Sequence, residues 1–425
     1  MEGRQDRGQA GGNSPARAND ISDDQAHDPA TDHGRAGYAA RVAIFAATSG
    51  HSGVDRIIAN LVPAMTERGI AVDVLKVEGH GPDLEQLPPG ARVIRLHSRH
   101  ANTSLPALVR YLRRVRPDAM LSDKDRVNRT ALWAASLSRV PLRRVVRFGT
   151  TVSLNLRNKK ALERWTQTRS IRLFYRSADA VITPSRGVAD DLVEQFQLPA
   201  ARVHVVHNPV VTPGLQHQAR MVDASTAWPW KDDGVPVIIG VGALVARKDW
   251  PTLIQAFARL WRQRRCRLLL MGDGPEHQAL ATLAEACGVA RDVAFTGFVK
   301  NPYPSIKRAH VLALTSRWEG MGVVLAEALA LGTQVVATDC PSGPAEVLQN
   351  GRAGFLAPVA NVQAVAAALD RALNKPLPRK TLTDAASLYT VARSAEAYLD
   401  VLGLTDRVRD YQRAHNHALS STGRR

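Results

Sequence analysis

The stretch Val311-Leu-Ala-Leu-Thr-Ser-Arg-Trp-Glu-Gly-Met-Gly-Val-Val-Leu-Ala-Glu-Ala-Leu-Ala-Leu-Gly-Thr-Gln-Val-Val-Ala337 reads as strand, loop, helix and strand. Val311–Leu314 and Gln334–Ala337 are apolar runs of strand length, and a helix is expected from about Met321 to Leu331. Working back from there, Val293-Ala-Phe295, Arg267-Leu-Leu-Leu-Met271 and Val237-Ile-Ile239 are further strands, with helical stretches between them. An earlier series has the same rhythm: Arg41-Val-Ala-Ile-Phe-Ala-Ala47, Ala71-Val-Asp-Val-Leu75, Ala119-Met-Leu121, Arg144-Val-Val146, Ala180-Val-Ile182 and Val203-His-Val-Val206. After its first strand, Ile57, Ile58, Leu61 and Met65 fall at helical spacing, and Pro63 is expected to interrupt or kink that helix. Such alternation implies an α/β fold with two doubly wound parallel-sheet (Rossmann-like) domains. Ligands of such sheets bind beyond the carboxyl ends of the strands, which places a site in the cleft between domains.

Residues 1–40 contain no Leu, Val, Phe or Trp and are expected to be disordered, because they cannot bury enough apolar area to offset ordering. A first domain is expected over 41–211, a linker over 212–234, a second domain over 235–404 and a polar tail over 405–425. Cys266, Cys287 and Cys340 show no metal-ligand or disulfide spacing. No run of 18 apolar residues suits a membrane-spanning helix, and the first 30 residues hold no apolar core of a secretory signal. An integral membrane helix and a disulfide-stapled secreted fold are therefore excluded as readings.

The 425 residues carry 56 Lys and Arg against 39 Asp and Glu, a net charge of +17. Residues 139–176 alone hold 11 Lys or Arg and a single acid, Glu163. Four readings fit that density: a solvated basic face, an anionic membrane surface, a phosphate-bearing acceptor, or nucleic acid.

Two carboxylates in the opening stretch carry chemistry. Glu319 ends a loop whose turn is bracketed by Gly320 and Gly322, and the free amides at the following helix start suit a phosphate or a sugar oxygen. Glu327 lies within the most apolar helix of the chain. Buried without donors it would cost several kcal/mol, so either protein groups or a bound polyol such as ribose must supply them.

Glu319 and Glu327 match the Glu-x7-Glu motif of glycosyltransferase family 4, the retaining enzymes of GT-B architecture. The likeness is ordered along the chain from about 41 to 400. Val241-Gly-Ala-Leu-Val-Ala-Arg-Lys-Asp249 resembles the family's Gly-Arg-Leu…Lys-Gly/Asp segment, and Met271-Gly-Asp-Gly-Pro275 its Gly-x-Gly-Pro turn. Val293-Ala-Phe-Thr-Gly-Phe-Val299 is similar to the strand and loop over the base, bringing in Phe298 and Val299. Ala178-Asp-Ala-Val-Ile-Thr-Pro-Ser185, His207-Asn208-Pro209 and Asp339-Cys-Pro-Ser-Gly-Pro-Ala-Glu346 complete it, the last in a form frequent among cell-envelope polysaccharide transferases.

The resemblance implies a retaining transferase that moves a sugar from a nucleotide diphosphate donor, UDP-sugar foremost, to a hydroxyl of a glycan or lipid-linked acceptor. It implies that Glu319 holds sugar hydroxyls, with Gly320, Met321, Gly322 and Val323 offering amides, and that Glu327 holds the ribose. Lys248, with Arg247, would neutralise the diphosphate, and Gly50 to Gly53 would approach it from the first domain. Glu319 and Lys248 are the expected catalytic pair. No cofactor or metal is implied, and the last helix of the second domain is expected to return to the first. The basic face would then make a reversible, salt-weakened contact with the inner surface of the cytoplasmic membrane, and no nucleic-acid partner is expected.

Two departures stand out: Ala243 replaces a usual phosphate-binding Arg, and Gly149 or Thr150 replaces a usual His. Asp123-Lys-Asp125 is a rival metal-binding DxD, weighed against a plain charge cluster. The alternatives are a nucleotide-sugar epimerase of the same fold, a non-catalytic member, and a basic nucleic-acid-binding protein. The last lacks any helix-turn-helix, RNP-like strand or zinc spacing.

Overall fold

The computed structural model of the chain describes residues 37–48, 53–82, 84, 86–157, 159–221 and 228–422. Seven parallel strands form the first sheet: β1 (Ala40–Ala46), β2 (Ile70–Lys76), β3 (Ala91–Arg95), β4 (Ala119–Asp123), β5 (Arg143–Arg147), β6 (Ala180–Thr183) and β7 (Val203–Val205). Their order is β3-β2-β1-β4-β5-β6-β7. Six more form the second: β8 (Val237–Val241), β9 (Arg267–Met271), β10 (Val293–Phe295), β11 (Val311–Leu314), β12 (Gln334–Thr338) and β13 (Phe355–Ala357), ordered β10-β9-β8-β11-β12-β13. Both sheets are doubly wound, and in each the order reverses beside the first strand, between β1 and β4 and between β8 and β11.

The strands are apolar runs because both faces are covered. Ile44 pairs in register with Val74 and Leu121, and Ile239 with Leu269 and Leu312. All of these are buried. The helix Gly53–Thr66 continues through Pro63, so the proline does not interrupt it. Ile57, Ile58, Leu61, Val62 and Met65 are all buried along it, so packing outweighs the one main-chain bond a proline removes.

Other boundaries move too. The N-terminal segment expected to be disordered lies outside the described residues up to 36, whereas Ala40 already starts β1. The stretch 405–425 is more than a polar tail: its described part is a helix, Thr405–Thr422, seated by buried Val408 and by Arg407 on Asp118 at 2.6 Å. Before it, the helix Val391–Val401 sends Tyr398 and Leu399 into the core that holds Val42 and Ile44 of the first sheet and Leu61 of the helix Gly53–Thr66. Of the 212–234 stretch, 222–227 lie outside the described residues. Trp228 and Trp230 pack on the second core, under Arg308 and Arg267. Among the described residues no helix is long and apolar enough to cross a membrane.

Candidate active site

Where the strand order reverses in the second sheet, two loops meet. β8 leads to a single 3-10 turn, Ala246–Lys248, and β11 leads to the loop 315–322. The Thr315 hydroxyl donates to the main-chain oxygens of Lys248 and Asp249, at 3.2 and 3.1 Å, and the Arg317 amide to that of Arg247 at 2.8 Å. This stitching brings three charges together. Glu319 Oε1 accepts from Lys248 Nζ and from Ser316 Oγ, each at 2.6 Å, and Oε2 lies 2.9 Å from Arg247 Nη1. Glu319 and Lys248 are both buried. Burial opposes the charged carboxylate, but the fields of Lys248 and Arg247 outweigh it and hold Glu319 at about 2. Arg247 thus converges on the same carboxylate as Lys248.

The helix after this loop runs Val323–Leu331, two residues later than the sequence suggested, because Gly322 takes the left-handed conformation (φ 78°) just before it. Glu327, 1% exposed, sits in its middle. Its Oε1 accepts from Tyr303 Oη at 3.2 Å and from Arg56 Nη1 at 2.5 Å. Protein donors therefore do satisfy this buried carboxylate, and one of them comes from the first sheet's helix Gly53–Thr66. The Arg56 guanidinium also lies over the Tyr303 ring at 5.8 Å. The Glu327 charge raises Arg56 further above its ordinary value, so the guanidinium stays protonated.

The first half closes over the same loop. The loop after β5 presents Gly149 so closely that a Cβ on Gly320 would stand 1.9 Å from the Gly149 carbonyl oxygen. The Thr151 and Ser342 hydroxyls, 2.6 Å apart, both reach the Glu319 main-chain oxygen, at 3.1 and 2.7 Å. Ser185 donates to the Gly320 carbonyl at 2.5 Å, and Trp318 Nε1 to Asn155 at 3.0 Å. Residues 319–322 are thus gripped from both halves.

The other expected residues divide. The Gly272 amide donates to Gly297 O at 2.8 Å, which brings the Met271–Pro275 turn beside the loop of Phe298 and Val299; Phe298 is 60% exposed, while Val299 packs on the core. Met321 is buried in the same core as Leu325. Gly53 begins the helix that carries Arg56, and Gly50 lies outside the described residues. The DxD carboxylates go separate ways: Asp123 pairs with buried Arg147, and Asp125 accepts from Arg129 at 2.7 Å and Tyr175 at 2.9 Å. Burial and the nearby Glu319 push the Cys340 thiol up to about 12, so it offers no thiolate nucleophile at neutral pH.

Arg56, Tyr303, Thr151, Ser185, Ser316 and Ser342 escaped the sequence reading. Arg56 follows the glycine loop by three residues, a position that puts it on the first turn of a helix aimed at the cleft, and that signal was available. Tyr303 and Ser342 had none, since their role depends on which loops meet.

Two family models match. "Glycosyl transferase 4-like domain" covers 52–209 and "Glycosyl transferases group 1" covers 227–388, so that together they take in most of the chain. Among curated relatives, the N-acetylgalactosamine-N,N'-diacetylbacillosaminyl-diphospho-undecaprenol 4-alpha-N-acetylgalactosaminyltransferase of Campylobacter jejuni is 30% identical over 54% of this chain and 62% of its own length. The chain thus spans about three fifths of that protein. The lipopolysaccharide core biosynthesis glycosyltransferase LpsE of Rhizobium meliloti is 26% identical over 75% of this chain and 85% of its own. Among solved structures, Anabaena HepE in complex with UDP superposes with a TM-score of 0.62 at 16% identity, over 88% of this chain and all of that one. One model over each sheet, in an architecture of two facing Rossmann-like halves, leads to one assignment: the chain belongs to the family 4-type glycosyltransferases of GT-B fold.

Proposed function

We propose that the protein transfers a sugar from a nucleoside diphosphate donor, most simply a UDP-sugar, to a hydroxyl of a glycan or lipid-linked acceptor, with retention at the anomeric carbon. The observation that carries this is the convergence of Lys248 and Arg247 on Glu319 where the second sheet's strand order reverses. In this reading a bound diphosphate shares the two cations with Glu319, whose carboxylate takes sugar hydroxyls. The amides of Gly320 to Val323 line the sugar and phosphate, Glu327 takes the ribose diol, Gly50 and Gly53 approach the diphosphate, and Phe298 and Val299 flank the base.

In the transfer step the bond from the anomeric carbon to the diphosphate oxygen breaks, and a bond from the same face to the acceptor oxygen forms. The acceptor proton passes to the departing phosphate oxygen. Negative charge grows on the leaving group, so fixed cations and amides beside it lower the barrier without a metal ion. Catalytic weight rests on Lys248, which stabilises the leaving group, and on Glu319, which orients the sugar.

The printed names of relatives support an envelope setting. The Campylobacter enzyme's name specifies a diphospho-undecaprenol acceptor, and the Rhizobium protein's name places it in lipopolysaccharide core synthesis. By that analogy the protein works on cell-surface polysaccharide at the cytoplasmic face of the inner membrane. Melting-temperature shifts with UDP-, GDP- and ADP-sugars test the donor assignment. One donor class should stabilise the wild type, and Glu327→Ala should lose at least about tenfold in that affinity. Equal shifts in wild type and variant would overturn the role given to Glu327.

A further inference from the structure

We infer that the helix Ala161–Phe174 and its neighbour Asp125–Ser138 form an apolar face that enters the headgroup region of an anionic bilayer, with the surrounding basic residues as its collar. Nine large hydrophobic side chains are exposed among the described residues, and five of them fall on these two helices. Leu162, Trp165 and Leu173 are 72%, 61% and 66% exposed, and they recur at helical spacing along a single stripe. Trp133 and Leu137 are one turn apart on the other helix, each about half exposed. The two faces are continuous: the Trp133 and Phe174 rings lie 5.5 Å apart, and Arg129 donates to Ser170 at 3.1 Å. Ile171 alone is buried along Ala161–Phe174, so the helix gains little by packing on the body and presents most of its surface outward.

Charge identifies the occupant. The segment 139–176 holds 11 Lys or Arg; Arg147 is buried on Asp123 and Arg144 pairs with Asp179. Arg157, Lys159, Lys160, Arg164 and Arg169 are exposed on or beside the helix Ala161–Phe174, whose one acid, Glu163, is paired with Lys159 at 2.6 Å. A second copy would bring two such cationic faces together. Nucleic acid would use the cations and the two Trp rings, but it has no use for Leu137, Leu162 and Leu173. A helix whose outer face interleaves Trp and Leu with cations, Arg169 lying over the Trp165 ring at 5.9 Å, fits the headgroup region of an anionic lipid interface, where both kinds of side chain find partners. The attachment therefore has an apolar part that salt does not screen, which amends the purely electrostatic contact expected from charge alone. It deepens the membrane setting proposed above, yet its test needs no donor or acceptor, so either claim fails without the other.

The test is flotation of the full chain with vesicles of phosphatidylglycerol and phosphatidylethanolamine, beside vesicles of phosphatidylcholine, at low salt and at about 1 M salt, where screening is complete within about 3 Å. Wild type should float with the anionic vesicles only, and a fraction should remain bound at high salt. Leu162→Ser/Trp165→Ser/Leu173→Ser, all at exposed positions, should bind about tenfold more weakly at low salt and detach fully at high salt. An unchanged melting temperature for that variant shows that its fold is intact. The proposal is overturned if wild type ignores anionic vesicles or if the triple variant floats as wild type does. It is equally overturned if the substitutions abolish a self-association or the retention of single-stranded RNA while vesicle binding is absent.

Discussion

Glu319 is held between burial, which disfavours its charge, and two cations, which favour it. Burial alone would neutralise it, yet two cations keep it charged, and each partner is in turn a buried or half-buried charge needing Glu319. Replacing it by Gln leaves Lys248 without a counter-ion, and loss of one member of such a cluster costs roughly 3–5 kcal/mol. The unfolding free energy of Glu319→Gln should therefore fall by that amount at neutral pH, read from denaturant titrations. The pH dependence follows from the depressed carboxylate. Its contribution is complete above the ordinary value of 4.5 and is lost as pH falls towards about 2. Denaturation curves across that window should show wild type and Glu319→Gln converging on the acid side; a constant gap would count against the ion cluster.

The same residues show what a sequence can reveal. Glu327 stood out because a carboxylate in an apolar run demands a partner; Arg56 was legible as a cation aimed at the cleft, but not as that partner. Arg56 lies 271 positions from Glu327, and only the approach of the two sheets decides that it, with Tyr303, supplies the donors.

At the level of elements, the loop 316–322 and the helix Val323–Leu331 are the unit that the rest of the site addresses. Gly320 is required by contact rather than by torsion: an added methyl meets a backbone carbonyl at 1.9 Å, which no rotamer change relieves. Gly320→Ala should force the two halves apart. We expect kcat to fall by at least about tenfold. Thermal stability should change little, because each sheet keeps its own core. Steady-state kinetics beside calorimetry checks this, and a large drop in melting temperature with unchanged kcat would refute it.

The elements missed in the sequence were missed for physical reasons. β3 (Ala-Arg-Val-Ile-Arg) is an edge strand with outward Arg side chains, and β13 is three residues long; neither resembles a buried run. Thr405–Thr422 is polar over most of its length and is docked through Val408 and Arg407, which a hydrophobicity pattern does not register. The central strands, buried on both faces, were legible because their burial is written into every position.

Over the whole molecule, closure is carried by few contacts. Arg56 to Glu327, Thr151 to Glu319 and to Ser342, Ser185 to Gly320 and Trp318 to Asn155 all join the first half to the second around one loop and the helix that follows it. Arg56 is more than a third exposed, so solvent screens it and its worth is modest. Arg56→Ala should raise the donor KM by about three- to tenfold and increase the radius of gyration in small-angle scattering. An unchanged radius together with an unchanged KM would show that Arg56 plays no part in closure. If Glu327 takes the donor ribose as proposed, its pairing with Arg56 would also let donor binding bias how the two halves close.

Whether the Glu319, Lys248 and Arg247 cluster acts as the proposed nucleotide-sugar transfer site is decided by its chemistry. Its most direct test is release of nucleoside diphosphate from a panel of UDP-, GDP- and ADP-sugars by wild type, Glu319→Gln and Lys248→Met. The account predicts turnover of one donor class by wild type, and losses of roughly 10²–10³ in kcat for both variants. If wild type turns over no donor, or if both variants release diphosphate at the wild-type rate, the cluster is a structural ion network and the active-site assignment is wrong.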